Sequence, residues 1–465
     1  MFVVVILLLF SFIHIAQPAP VIQAQTDEAW YFAQRDGDLI AFTPEGEQNT
    51  IMSGFGEVQA GWRWDEQTAL FMSEDDEEVS HLYRVTPEKA TEIELPIPED
   101  ADLETLRLMP AYAGDYTVLR EAVPTQLPSV GVLVNVANAT AEILTGAITQ
   151  EARFADEQTL RYLSFDGENT WSLLERTLPD GEETTIYNMD GNEFQVPIST
   201  NKLVDHWVFI GRNDNREITN TLVSADGTSE LLESGTADDP IFWRFFDDLL
   251  ISNHPRCETD CPIIVHDGDE ETEFMLPISG ASFGVLARPN SDLLLVTGAD
   301  SEVILLSQTE DPQSLGEFAP QVLLNSPSQL ISPDRSYVFT TNISDDAIDE
   351  REVYVHDTEG TQVFSAEIEN VAQVFWLERG FIVNVYGSDA VGTVHFNDAT
   401  SAELPYINSG TYFEILPDNT LIYWLGRAEE EVGEPGIYRY DPPSESFTLV
   451  VEGARFLYAQ PLPML

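Results

Sequence analysis

Four short strand-like runs, with the turns between them, recur about every 40 residues along this chain, and that repeat constrains its fold more than any other feature. The runs are rich in Val, Ile, Leu, Phe, Tyr and Trp, and clusters of Asp, Gly, Pro, Asn and Glu separate them. The clearest copy opens at Ser326 with SQLI, the turn SPDRS, YVFTT, an acidic loop, EVYVHD, the turn TEG and TQVFSAEI. A second runs from Thr411 as YFEIL, PDN, TLIYWLG, an acidic loop, GIYRYD, PPSES and FTLVVEG, and a third lies between the two. Weaker copies open near Val58, Thr105, Glu151, Lys202, Pro240 and Ala281. Past the N-terminal apolar run no stretch keeps a helical period for three turns, so the chain reads as all-β.

The two ends fix the topology. The segment AWYFAQ, DGD, LIAFTPEGE, QNTI matches only the last three strands of the unit, and ARFLYAQPL near the C-terminus matches only its first. A C-terminal strand that completes the N-terminal unit closes a ring and leaves no pair of loose ends, as in a β-propeller and unlike a linear solenoid. The expected fold is therefore a single closed β-propeller of four-stranded antiparallel blades. About ten units are counted, with about seven to ten plausible against the usual four to eight. No Pro-, Gly- or Ser-rich linker divides the chain. The expected organisation is residues 1–24 as a signal peptide or N-terminal anchor and 25–465 as the propeller.

SPDRSYVF at residues 332–339, followed by VYVHDTEG at 353–360, resembles the SPDG-type repeat of the TolB-like and WD40-like propellers. DEQTALF, PNSDLLL and PDNTLIY are degenerate versions of the same turn and strand, and Arg335 stands where the repeat usually has glycine. The resemblance implies a propeller with a central channel, used in relatives for protein contacts or as a module beside a catalytic domain. It implies no particular ligand, because the fold hosts many functions.

Eighty-one acids against 21 basic residues give a formal charge of −60, which repels a phosphate backbone and an anionic membrane surface. Nucleic acid is therefore not an expected partner. Residues 2–15 form an apolar run of signal-sequence length followed by small and helix-breaking residues, and no later segment is apolar enough to cross a membrane. The expected location is extracytoplasmic. The only cysteines, Cys257 and Cys261, stand in HPRCETDC, where an oxidising compartment would close them into a small disulfide loop at a hairpin tip; half of a zinc site is the rival reading.

No catalytic, cofactor-binding or metal-binding residue is assigned. Residues 280–284 spell G-x-S-x-G around Ser282, but the elbow needs a helix after the turn and VLARPNSDLLL reads as strand and turn. SFDGENTW at 164–171 is close to an Asp-box. The acidic turns at 36–38, 74–78, 267–271 and 345–350 offer oxygen ligands for calcium without the spacing of an EF-hand, and solvated loop is the preferred reading. Histidines 81, 206, 254, 266, 356 and 395 are scattered singly, and the eight tryptophans fall on strands as packing residues. The functional expectation is an exported, non-enzymatic binding or scaffold propeller that contacts a protein or an envelope polymer such as a polysaccharide. The alternatives are a carbohydrate- or peptide-active propeller enzyme using channel carboxylates, and a calcium-dependent adhesion module.

Overall fold

The computed structural model describes residues 29–461 apart from interior stretches, the longest being 97–105, 122–130, 318–330 and 404–412. The signal-like segment lies outside the described residues. Antiparallel sheets follow one another in chain order, each a meander of consecutive strands. Ten blades result, matching the ten repeat units of the sequence. The first strands of blades 2 to 7 are Glu57–Arg63, Leu106–Ala113, Arg153–Asp156, Val196–Thr200, Phe242–Phe246 and Gly284–Asn290; those of blades 9 and 10 are Val371–Leu377 and Phe413–Ile415. Blade 8 is described at this position only by Ile331, which bridges Val338, and the sheet ladder between blades 7 and 8 is a single described pair, Glu317 with Thr341.

Blade 1 is assembled from both ends of the chain. Tyr31–Arg35, Asp38–Phe42 and Gln48–Met52 supply three strands, and Arg455–Phe456 pairs antiparallel with the first of them, Phe456 opposite Ala33 and Arg455 opposite Gln34. The C-terminal strand thus takes the position that is the first strand of every other blade. Beyond it, Gln460–Pro461 pairs parallel with the free edge of Glu57–Arg63 in blade 2.

Hydrophobic burial follows strand position. Second strands are covered on both sides by neighbouring blades and read as unbroken apolar runs: Ala69–Glu74 and Leu293–Thr297 bury consecutive residues. Fourth strands have one dry and one wet face, and Glu270–Leu276 alternates accordingly, burying Thr272, Phe274 and Leu276. The apolar faces meet as seams that join blades 1 and 2, 2 and 3, 3 and 4, 4 and 5, 5 and 6, 6 and 7, and 7, 8 and 9. A further seam packs Leu416, Ile422, Ile437 and Val451 of blade 10 against Tyr31, Phe42 and Phe456 of blade 1. All eight tryptophans are buried or half-buried in these seams.

Arginines fasten the seams from their polar side. Guanidinium groups donate across them to main-chain carbonyls: Arg63 to Trp30, Arg84 to Ala137 and Arg161 to Val204, at 2.7–3.0 Å. Others pair with a carboxylate of an adjacent blade, as do Arg176 with Glu142, Arg288 with Asp267 and Arg439 with Glu45. The fork of five donors suits a site that needs a carbonyl and a charge at once.

One boundary differs from the sequence reading. Blade 5 opens at Val196, not at Lys202 as the repeat pattern had it. Pro197 argues against a strand in a sheet interior, but the first strand is the inner edge of its blade, where a missing N–H costs no ladder bond.

Candidate functional site

In a four-stranded meander the connections alternate between two ends of the sheet, so the ring has two unlike faces. Connections from first to second and from third to fourth strand share one face, and none exceeds five residues. Connections from second to third strand, and from each blade to the next, share the other face. All the longer ones are there, including 94–105, 144–152, 233–241 and 426–435. The chain therefore has a turn face and a loop face.

The turn face explains the repeat signature. Asp65, Asp156, Asn290, Asp334 and Asp418 begin the first-to-second turns of blades 2, 4, 7, 8 and 10, and each accepts the backbone N–H two residues on at 2.7–3.1 Å. That bond replaces a main-chain turn contact and fixes the hairpin. Burial pushes the Asp334 carboxyl up, but hydrogen bonds from Ser332 and Ser336 outweigh it and hold the group below its ordinary value. Asp418 behaves alike, with Thr420 and Arg439 opposing burial. These carboxylates are occupied as turn acceptors.

The loop face carries a polar cluster at blade 2. His81 Nδ1 lies 2.8 Å from Glu92 and Nε2 lies 3.2 Å from Asp75, so one imidazole bridges two carboxylates. Asp75 also accepts the N–H groups of Glu77 and Val79. Hydrogen bonding to Glu92 raises the His81 pKa against a smaller effect of burial, and the Val79 N–H together with His81 lowers Asp75. At blade 6 the same face carries Cys257 and Cys261, whose Cα atoms lie 5.6 Å apart, within disulfide distance. Their connection, 254–260, is the second of its blade.

Charge is sorted by radius. The inner strands carry Arg63, Arg107, Arg153, Arg244, Arg288 and Arg455 against Glu57, Asp156 and Glu414. The outermost strands contain many acids, such as Glu92, Glu142, Glu230 and Glu270, and not one Arg or Lys. The formal charge of −60 thus sits on rim and loops, and the ring interior is locally basic. Of the inner arginines, Arg153, Arg244 and Arg455 form no ion pair with any described carboxylate.

The remaining sequence candidates take structural places. Ser282 lies outside the described residues, but Gly284 opens a strand, not the helix that a nucleophile elbow requires. Within SFDGENTW, residues 166–169 are likewise outside them, and Trp171 packs in the seam between blades 4 and 5. His206 bonds Asp205 in a turn, and His254 and His356 are buried. No group of three or more His, Cys, Asp or Glu among the described residues has metal-binding geometry.

No family model matches the chain, and no curated protein does. Among solved structures it is similar to a eukaryotic initiation factor, at 8% identity over 82% of this chain and 96% of that one, with a TM-score of 0.46. It is also similar to a prolyl endopeptidase, at 10% identity over 90% and 54% with a TM-score of 0.36, and to TolB from Acinetobacter baumannii, at 12% over 66% and 77% with a TM-score of 0.28. The propeller assignment comes from the chain's own strand order, and no activity is transferred from these proteins.

Proposed function

We propose that this chain is an exported, non-enzymatic binding or scaffold propeller whose loop face contacts a protein or an envelope polymer. The observation that carries the reading is the division of the ring. One face is pared to turns whose acids hold their own backbone, while the other projects every long connection. Rigid scaffold with variable loops on one side is the usual layout of a recognition surface. The cysteine pair at blade 6 stands on that same face and suits an oxidising compartment.

Neutralising the acids of one face at a time tests it. Glu77, Glu258 and Glu434 are exposed on the loop face, and Glu88, Glu310 and Glu359 are exposed on the turn face. Changing the first three to glutamine is expected to weaken binding of the purified protein to envelope fractions of its source by at least about tenfold, while the second triple variant binds as wild type. Equal loss from both faces would sink the reading. So would turnover of a glycan or peptide by the purified chain.

A further inference from the structure

The inner strand of blade 6 carries a cation for which no described carboxylate supplies a counter-charge. Along Phe242–Phe246, Trp243 packs toward blade 5, so the alternate residues Phe242, Arg244 and Phe246 face blade 7. Arg244 donates through Nη2 to the Phe283 carbonyl at 2.9 Å, and its guanidinium lies 5.2 Å from the Phe283 ring centroid. A guanidinium has five N–H donors, and these two contacts use one of them. The other donors are not sealed in, since the residue is partly exposed and none of its nitrogens is buried without a partner. The surroundings strip water from it, and desolvation, with no opposing charge, lowers its pKa. In a chain with 81 acids, an arginine with no carboxylate partner among the described residues is conspicuous.

A second cation reaches the same strand face. Arg335 belongs to the first turn of blade 8, and it pairs with Asp247 while its guanidinium lies 6.0 Å from the Phe246 centroid. It therefore reaches from blade 8 to blade 6. Arg335 also occupies the glycine position of the SPDG-type turn with φ at 58°, a left-handed conformation that costs an L-residue about 1 kcal/mol or more. Glycine would relieve that strain, so the side chain is the reason to look for a role.

The geometry points to an anion-binding site on the inner strand of blade 6, in which Arg244 takes a carboxylate or phosphate group of a ligand in the ring interior and Arg335 lends a second positive charge. The site is independent of the loop-face partner. Arg335 is paired with Asp247, while no described carboxylate pairs with Arg244, so the unspent donors of Arg244 can form charge-assisted bonds to a ligand anion. The basic inner strands around it lower the cost of bringing an anion into a chain that repels anions from outside.

Inorganic phosphate is the probe, titrated into the full chain by calorimetry at constant ionic strength set with NaCl. Saturable binding is expected in wild type, weakened at least about tenfold in Arg244→Gln. Arg335→Gly restores the turn's usual residue, so it keeps or raises thermal stability while weakening phosphate severalfold, which separates a binding loss from misfolding. Absence of saturable binding in wild type, or unchanged affinity in Arg244→Gln, overturns the site. Unchanged affinity in Arg335→Gly removes the second cation from it. Citrate run in parallel distinguishes a carboxylate from a phosphate preference.

Discussion

Phe456→Ala is the sharpest test of ring closure. Phe456 is 3% exposed on a strand of two residues, and its ring meets that of Phe42 edge-on at 6.2 Å. Its neighbours Leu416, Ile437 and Val451 belong to blade 10, while Tyr31 and Phe42 belong to blade 1. Truncation therefore empties the one described seam that joins the last blade to the first, and a buried Phe→Ala costs about 3–5 kcal/mol. With a urea m-value of about 3–5 kcal/mol/M for a chain of this size, the midpoint falls by about 1 M. Phe154→Ala, at 0% exposure in the seam of blades 3 and 4, is the internal comparison. In a closed ring both substitutions lower the same cooperative transition, followed by the summed fluorescence of the eight tryptophans, one of which, Trp424, packs at the closing seam. An open array frays at its ends, so a midpoint lowered by Phe154→Ala but untouched by Phe456→Ala would refute closure.

The titratable groups and charges give further expectations. His81 has a raised folded pKa, so its stabilisation is complete below the unfolded value of about 6.5 and is lost as pH rises through the folded one. His81→Gln should cost about 0.2–1 kcal/mol at pH 6 and nothing at pH 9 by urea midpoint. His356 is shifted down by desolvation, so acidification below about pH 6.5 protonates the unfolded chain first and destabilises the fold, and His356→Gln should flatten that slope in melts between pH 5 and 7. Cys257→Ser should cost at most about 2 kcal/mol, the chain-entropy value for so short a loop, with thiol titration of unfolded wild type finding no free sulfhydryl. Raising NaCl from 10 mM to 0.5 M should increase the melting temperature by screening the acidic rim, and a fall would contradict that distribution of charge.

The repeat and the split first unit were legible because each shows as local pattern, whereas the number of blades stayed between about seven and ten. A turn such as PDN followed by TLIYWLG specifies its own hairpin, and the split first unit is visible at the two ends of the chain. The opening of blade 5 was obscured by Pro197, a residue that reads as a breaker unless the strand is known to be an inner edge. The His81 cluster was not legible, because the approach of Asp75 and Glu92 to one imidazole depends on hairpin register and loop path. Nor was the Arg335 reach from blade 8 to blade 6, which needs the ring's curvature. One signal was present and unread: in blades 2, 3, 4, 6 and 7 the opening strand contains an arginine.

That placement follows from what each strand position tolerates. A second strand is dry on both sides along its middle, and the charge it carries there is paired, as Arg161 is with Glu175. A fourth strand ends its sheet with an open row of backbone groups, and a rim of like charges there keeps one molecule's edges from pairing with another's. Acids at that position are thus compatible with both solubility and monodispersity. The seams need donors that satisfy carbonyls on two blades at once, and arginine does this where lysine, a point charge on a flexible stem, does not. The chain contains only two lysines, Lys89 and Lys202, and Lys89 lies in a turn of the turn face. Scarce positive charge is thus spent on joining blades, and the inner arginines that join nothing acidic are the ones left to meet a ligand.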